Sequence, residues 1–79
     1  ERPLVLKREL EVLALPQQTK ETLPAGTKLY LKRTDGKTYA ELELEDGREC
    51  RIEIIIEDYT STINGISEWE YFEELMYAG

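Results

Sequence analysis

Glu41, Glu43 and Glu45 stand at alternate positions, and they are the first residues whose type and spacing could do chemistry. On a strand they share one face, because side chains there alternate with a period of two. That placement suits a cation site or an acid–base pair. Hairpin register offers a plainer role, since it sets Glu43 opposite Lys28 and Glu41 opposite Arg51. Such cross-strand pairs contribute only about 0.2–1 kcal/mol each. Glu43 and Glu49 form the one like-charged pair, and a hard cation needs more oxygens from a preformed loop. The expected reading is therefore a solvated, ion-paired sheet face. A second acidic group, Glu68, Glu70, Glu73 and Glu74, reads as the solvated face of a short helix or as a patch for a basic partner. Cys50 is the only cysteine and histidine is absent. No internal disulfide can form, no histidine can activate the thiol, and no Cys/His zinc site can be built. No Gly-rich phosphate loop is present. The expectation is no catalytic residue, no cofactor and no metal ligand.

Aromatic residues offer a binding role instead. Tyr30 and Tyr39 have outer-face parity in the strands described below. An exposed tyrosine supplies contact area at low entropy cost, although packing against the stem of Lys32 would serve equally. Tyr30, Tyr39, Tyr59, Glu70, Tyr71 and Glu74 make up the candidate ligand surface. Trp69 and Phe72 read as core residues.

These residues must be positioned by few elements. The chain has 79 residues, enough for a single domain spanning 1–79 and one core. It begins at Glu1 and has Met76 as its only methionine, which leads to the expectation of a chain cut from a longer protein. Net charge is −7. Residues 1–37 carry eight Lys/Arg and five Asp/Glu, net +3, and residues 38–79 carry two and twelve, net −10. Nucleic-acid binding requires phosphate neutralisation, so a nucleic-acid partner is not expected. An anionic membrane surface is disfavoured for the same reason. No apolar run reaches the roughly 18 residues of a membrane span, so membrane insertion is not expected.

Alternation over 4–15 puts Leu4, Leu6, Leu10, Val12 and Ala14 on one face and predicts a strand, ended by Pro16. Residues 16–26 read as a polar loop. Strands follow at 28–34, 37–45 and 48–57. Asp35-Gly36 signals a two-residue turn, pairing Thr34 with Lys37, Leu31 with Ala40 and Leu29 with Leu42. A two-residue turn at Asp46-Gly47 would mix faces. A three-residue loop Glu45-Asp46-Gly47, with Gly47 left-handed in a G1 bulge, pairs Leu42 with Cys50 and Ala40 with Ile52. Cys50, Ile52, Ile54 and Ile56 then point inward, and Ile55 faces a second layer. Ile63-Asn64-Gly65-Ile66 is a tight-turn signature. Ser67 and Glu70 form a capping box for a helix over 68–76, whose stripe is Trp69, Phe72, Leu75 and Met76.

The stretch Leu23-Pro24-Ala25-Gly26-Thr27-Lys28-Leu29 resembles the turn-and-strand signature of bacterial SH3-like (SH3b-type) domains. The likeness covers roughly residues 4–57. Two features of that family are missing. Tyr39 stands near its early tryptophan position, and a turn and helix replace its closing Gly-Trp-Val strand. The resemblance implies a small barrel in a secreted or cell-surface bacterial protein, binding protein, peptide or cell wall. The expected fold is mostly β, a small SH3-like barrel or bent antiparallel meander with one short C-terminal helix. The expected function is a non-catalytic interaction or spacer module. Self-association through an exposed strand edge is the alternative, and a small carboxylate-dependent hydrolase comes third.

Overall fold

The computed structural model describes residues 3–35 and 38–74. Among these, alternating apolar and charged residues build eight antiparallel strands. They are β1 (Leu4–Val5), β2 (Leu10–Ala14), β3 (Thr19–Leu23), β4 (Lys28–Asp35), β5 (Tyr39–Leu44), β6 (Glu49–Glu57), β7 (Thr60–Ile63) and β8 (Ile66–Ser67). Strand order is β1-β4-β5-β6-β2-β3, with β7 paired to β6 and β8 to β7. β1 and β3 do not pair, so the ladder is not closed into a barrel. The mostly β, bent-meander expectation describes the molecule.

β6 organises the rest. On one edge Ile54 N donates to Thr38 O of the β5 side at 3.1 Å. On the other edge Leu15 N donates to Glu49 O at 2.9 Å and Asn64 N to Glu53 O at 3.2 Å. One nine-residue strand therefore holds β5 along one side, and β2 followed by β7 along the other.

The β5–β6 hairpin has the expected register, with Leu42 opposite Cys50 and Ala40 opposite Ile52. Leu44 N donates to Arg48 O at 2.8 Å across the loop, and Gly47 has φ +92°. Only glycine takes that conformation without strain. The β4–β5 register differs from expectation. Leu29 lies opposite Leu44 and Leu31 opposite Leu42, while Thr34 lies opposite Ala40 and Asp35 opposite Tyr39. Gly36 and Lys37, the rest of the expected turn, lie outside the described residues. Slipping a pairing by two residues keeps every side chain on its face, so parity alone does not choose between these registers. A bulge between Leu31 and Arg33 adds the second difference. Arg33 shares parity with Leu29 and Leu31, and a regular strand would aim it inward. The extra residue, Lys32, resets the alternation and sets Arg33 opposite Glu41 on the outer face.

The expected strand over 4–15 is broken into β1 and β2. The corner is held by Leu6 N to Thr27 O at 3.0 Å, Gly26 N to Leu6 O at 2.8 Å and Lys7 N to Tyr71 O at 2.7 Å. Within the expected 16–26 loop, Thr19–Leu23 is a strand paired along its whole length with β2. Its sequence, TKETL, is polar because one edge and one face meet water.

The helix expected over 68–76 is a single 3-10 turn, Glu68–Glu70. Leu75 and Met76 lie outside the described residues. Tyr71 O accepts from Lys7 N, which diverts it from a helical ladder. Ser67 makes no side-chain capping bond. Tighter winding turns Trp69 outward, 54% exposed, and sends Glu68, Tyr71 and Phe72 inward. Ile55 is 42% exposed on the outer face, so no second layer of described residues encloses it. The core joins Leu6, Leu10, Val12, Leu23, Leu29, Ala40, Leu42, Cys50, Ile52, Ile54, Ile63, Tyr71 and Phe72.

Candidate functional site

The outer face of β4–β5–β6 carries the most ordered polar cluster. Register aligns Arg33, Glu41 and Arg51 in one row across three strands. Arg33 donates to Glu41 through Nε at 2.7 Å and Nη2 at 3.4 Å, and Arg51 Nη2 donates at 3.0 Å. Glu41 is buried beneath them. The Arg51 guanidinium lies 4.3 Å from the Tyr39 ring centroid, in cation–π contact. Its Nε is enclosed without a hydrogen-bond partner. Hydrogen bonds from Arg33 and then Arg51 hold the Glu41 carboxyl below its ordinary range. A carboxylate held this way has no proton to give at neutral pH and is a weak base. The arrangement fastens three strands rather than performing acid–base chemistry.

The sign of its pH dependence follows. A carboxyl with a lowered folded-state pKa stabilises the fold above its unfolded value and loses that contribution as pH falls through the folded one. Glu41→Gln should therefore lower the urea midpoint at neutral pH. The gap to wild type should close on acidification below about pH 4, the range where an ordinary glutamate titrates. Urea titrations at the two pH values check this.

Glu43 is not opposite Lys28 as expected. It lies opposite Tyr30, with the Lys32 amine 3.6 Å away. The like-charged Glu43–Glu49 pair is present in the ladder. At the hairpin tip, the backbone N–H and then the guanidinium of Arg48 hold the Asp46 carboxyl down. Arg48 also reaches Glu21 of β3 at 3.0 Å. Among the described residues no group of three or more His, Cys, Asp or Glu could hold a metal ion. No helix among them is long and apolar enough to cross a membrane.

The six candidate surface residues fall in three places. Tyr30 and Tyr39 are half-buried on the β4–β5 outer face, at opposite ends of the Glu41–Glu43 stretch. Tyr59 stands at the β6–β7 turn and is 102% exposed. Glu70, Tyr71 and Glu74 lie near the C-terminal end. Tyr71 is 3% exposed and belongs to the core rather than a surface. Arg8 spans this third place, 5.4 Å from the Tyr71 ring centroid and 3.8 Å from Glu70. Glu74 borders a cavity of about 230 Å³ beside Leu4, Leu6 and Phe72. Sequence reasoning missed Arg8 and Arg33, and it turned Ile55 outward but toward a second layer. Arg33 carried a signal, as a charged residue at an inward parity.

Cys50 is buried, and that burial, reinforced by nearby Glu21, pushes its thiol up to about 11. The thiolate is the reactive form, so the folded protein should resist alkylation at mildly alkaline pH and react fully once unfolded in urea. A thiol-reactive dye followed with and without urea measures this. Rapid labelling of the folded chain would contradict the burial.

Fold and site together define a small, curled, open antiparallel β domain with an ion-paired outer face. Comparison with family models, curated proteins and solved structures finds no match for the chain.

Proposed function

We propose that this domain is a non-catalytic interaction module of a larger, secreted or surface-associated bacterial protein. The carrying observation is Tyr59. It is fully exposed on the turn between β6 and β7. Thr60 Oγ1 donates to Glu57 O at 2.9 Å and ties the turn. Exposed Ile55 lies on the same ribbon, opposite Thr62, with exposed Glu53, Glu57 and Asp58 around it. A presented aromatic on the same ribbon as an exposed apolar side chain and acidic residues suits a partner surface with a ring-sized pocket and a basic rim. The secreted bacterial setting rests on the resemblance of residues 4–57 to SH3-like domains.

Tyr59→Ser with Ile55→Ser tests this. Tyr59 is fully exposed, so its replacement should change stability by no more than about 0.5 kcal/mol. Ile55, partly covered within β6, should cost about 1 kcal/mol. Loss of an interface anchor typically costs about 2 kcal/mol or more in binding. Affinity capture from the source organism should retain a partner on wild type and lose it on the double variant. Identical capture by both would sink the proposal.

Self-association through a strand edge is less well supported at β3. A two-fold axis perpendicular to a sheet keeps each residue on its face. An antiparallel pair of β3 strands therefore opposes residues of equal parity. Registers centred on Lys20 or Glu21 oppose like charges, which is destabilising. A register centred on Thr22 draws in Pro24, which has no amide hydrogen to donate. Sedimentation over a concentration series should show a monomer throughout, and a concentration-dependent dimer would favour the edge-pairing alternative.

A further inference from the structure

The turn between β7 and β8 is built from Asn64 and Gly65, with φ of 53° and 82°. Positive values at both central positions mark the turn that joins right-twisted strands in a two-residue hairpin. Asn64 does more than turn the chain. Its side-chain Nδ2 donates to Glu11 O of β2 at 3.0 Å, and its backbone N–H donates to Glu53 O of β6 at 3.2 Å. The paired registers of β2 with β6 are Leu13–Arg51 and Ala14–Cys50, so no ladder pair joins Glu11 to β6. Asn64 spans the fork where the two strands part. A cavity of about 230 Å³ lies there, lined by Glu11, Leu13, Arg51, Glu53 and Asn64 among others.

We propose that Asn64-Gly65 is a spontaneous modification site, at which loss of the side-chain amide converts this latch into a charge. Asparagine is a chemically labile residue. The Gly65 backbone nitrogen, on losing its proton, attacks Asn64 Cγ. A new C–N bond closes a five-membered imide. The bond from Cγ to Nδ2 breaks, and Nδ2 leaves as ammonia with the proton taken up from solvent. Water then adds to either imide carbonyl and breaks one of its C–N bonds. The product is aspartate in the normal chain or an isoaspartyl linkage. The net change is addition of one water and loss of one ammonia, with no oxidant or reductant. Both residues are exposed, and the space beside Gly65 Cα is open, so nothing crowds the attack.

The consequence lies at the fork. Nδ2 is a donor, whereas a carboxylate oxygen only accepts. The new group faces the Glu11 carbonyl with no hydrogen to offer. Its charge adds to those of Glu11 and Glu53, two acidic residues that line the same cavity, and like charges repel. The β7–β8 turn should then part from β2.

Intact protein held at mildly alkaline pH, folded or unfolded in urea, is followed by peptide mapping and isoaspartate detection. Asn64 should convert in both. The folded rate should be roughly fivefold slower, the factor expected where one hydrogen bond must open first. Asn64→Asp should lower the melting temperature and speed amide exchange at Glu11 and Val12. Asn64→Gly keeps the positive-φ turn and removes only the latch, so it should be the milder change. No conversion at Asn64 in the folded chain, when the unfolded chain converts, would overturn the proposal. Equal folded and unfolded rates, or an Asn64→Asp variant with wild-type stability and exchange, would overturn the latch.

Discussion

Phe72→Ala should cost about 3–5 kcal/mol, the range for removing a buried aromatic ring. Phe72 is 0% exposed and sits in the core with Leu6 and Ile54. Domains carry roughly 0.05–0.15 kcal/mol per residue of net stability, which places this one near 4–12 kcal/mol. The substitution removes a large share of that, and much of the variant should be unfolded at body temperature. Trp69, three residues earlier, is the natural control. It is half exposed, so Trp69→Ala should cost about half as much as Phe72→Ala or less. Urea unfolding followed by circular dichroism serves both variants. Similar losses for the two would mean that the segment is helical after all, with Trp69 packed inward.

The second large effect is expected at Glu68. Its side chain is 0% exposed, and its Oε1 accepts from Ser61 Oγ at 2.7 Å. Glu68→Ala leaves a half-buried hydroxyl without that acceptor, at about 1 kcal/mol. The lost side chain also leaves a cavity, which adds to the cost. A total of about 2–4 kcal/mol is expected. Glu68→Gln retains an oxygen that can accept from Ser61, so it should be the smaller loss. Comparing the two midpoints in urea separates the shape and acceptor from the charge. An Ala variant as stable as wild type would show that the burial carries no energetic weight.

The first effect falls where sequence patterning pointed, since Phe72 reads as core, and the second falls where it pointed elsewhere. Glu68 reads as a solvated helix residue beside Glu70, because its partner comes from β7 through the Asn64-Gly65 turn. No local pattern contains that meeting. The Ser67–Glu70 capping signature and the Trp69–Phe72 spacing were locally sound. They lost to one tertiary hydrogen bond, Lys7 N to Tyr71 O. The Glu45-Asp46-Gly47 bulge was legible because two independent constraints, face parity and a left-handed glycine, admitted one solution. The first hairpin had only parity, which is blind to a shift of two. Thr19–Leu23 was missed because an edge strand with one buried residue, Leu23, looks like a loop. Of the candidate surface, Tyr59 is exposed, although parity placed only Tyr30 and Tyr39 outward. The position of Tyr71 was not legible, since its burial depends on the same Lys7 contact.

That contact has a wider meaning. Lys7 follows the first strand, and Tyr71 lies near the last described residue, so the incoming and outgoing ends of the fold are tied side by side. Pro3 and Glu74 border the same cavity. Main chain thus staples the start of the fold to its last turn, and what holds them is a backbone hydrogen bond that no side-chain substitution deletes.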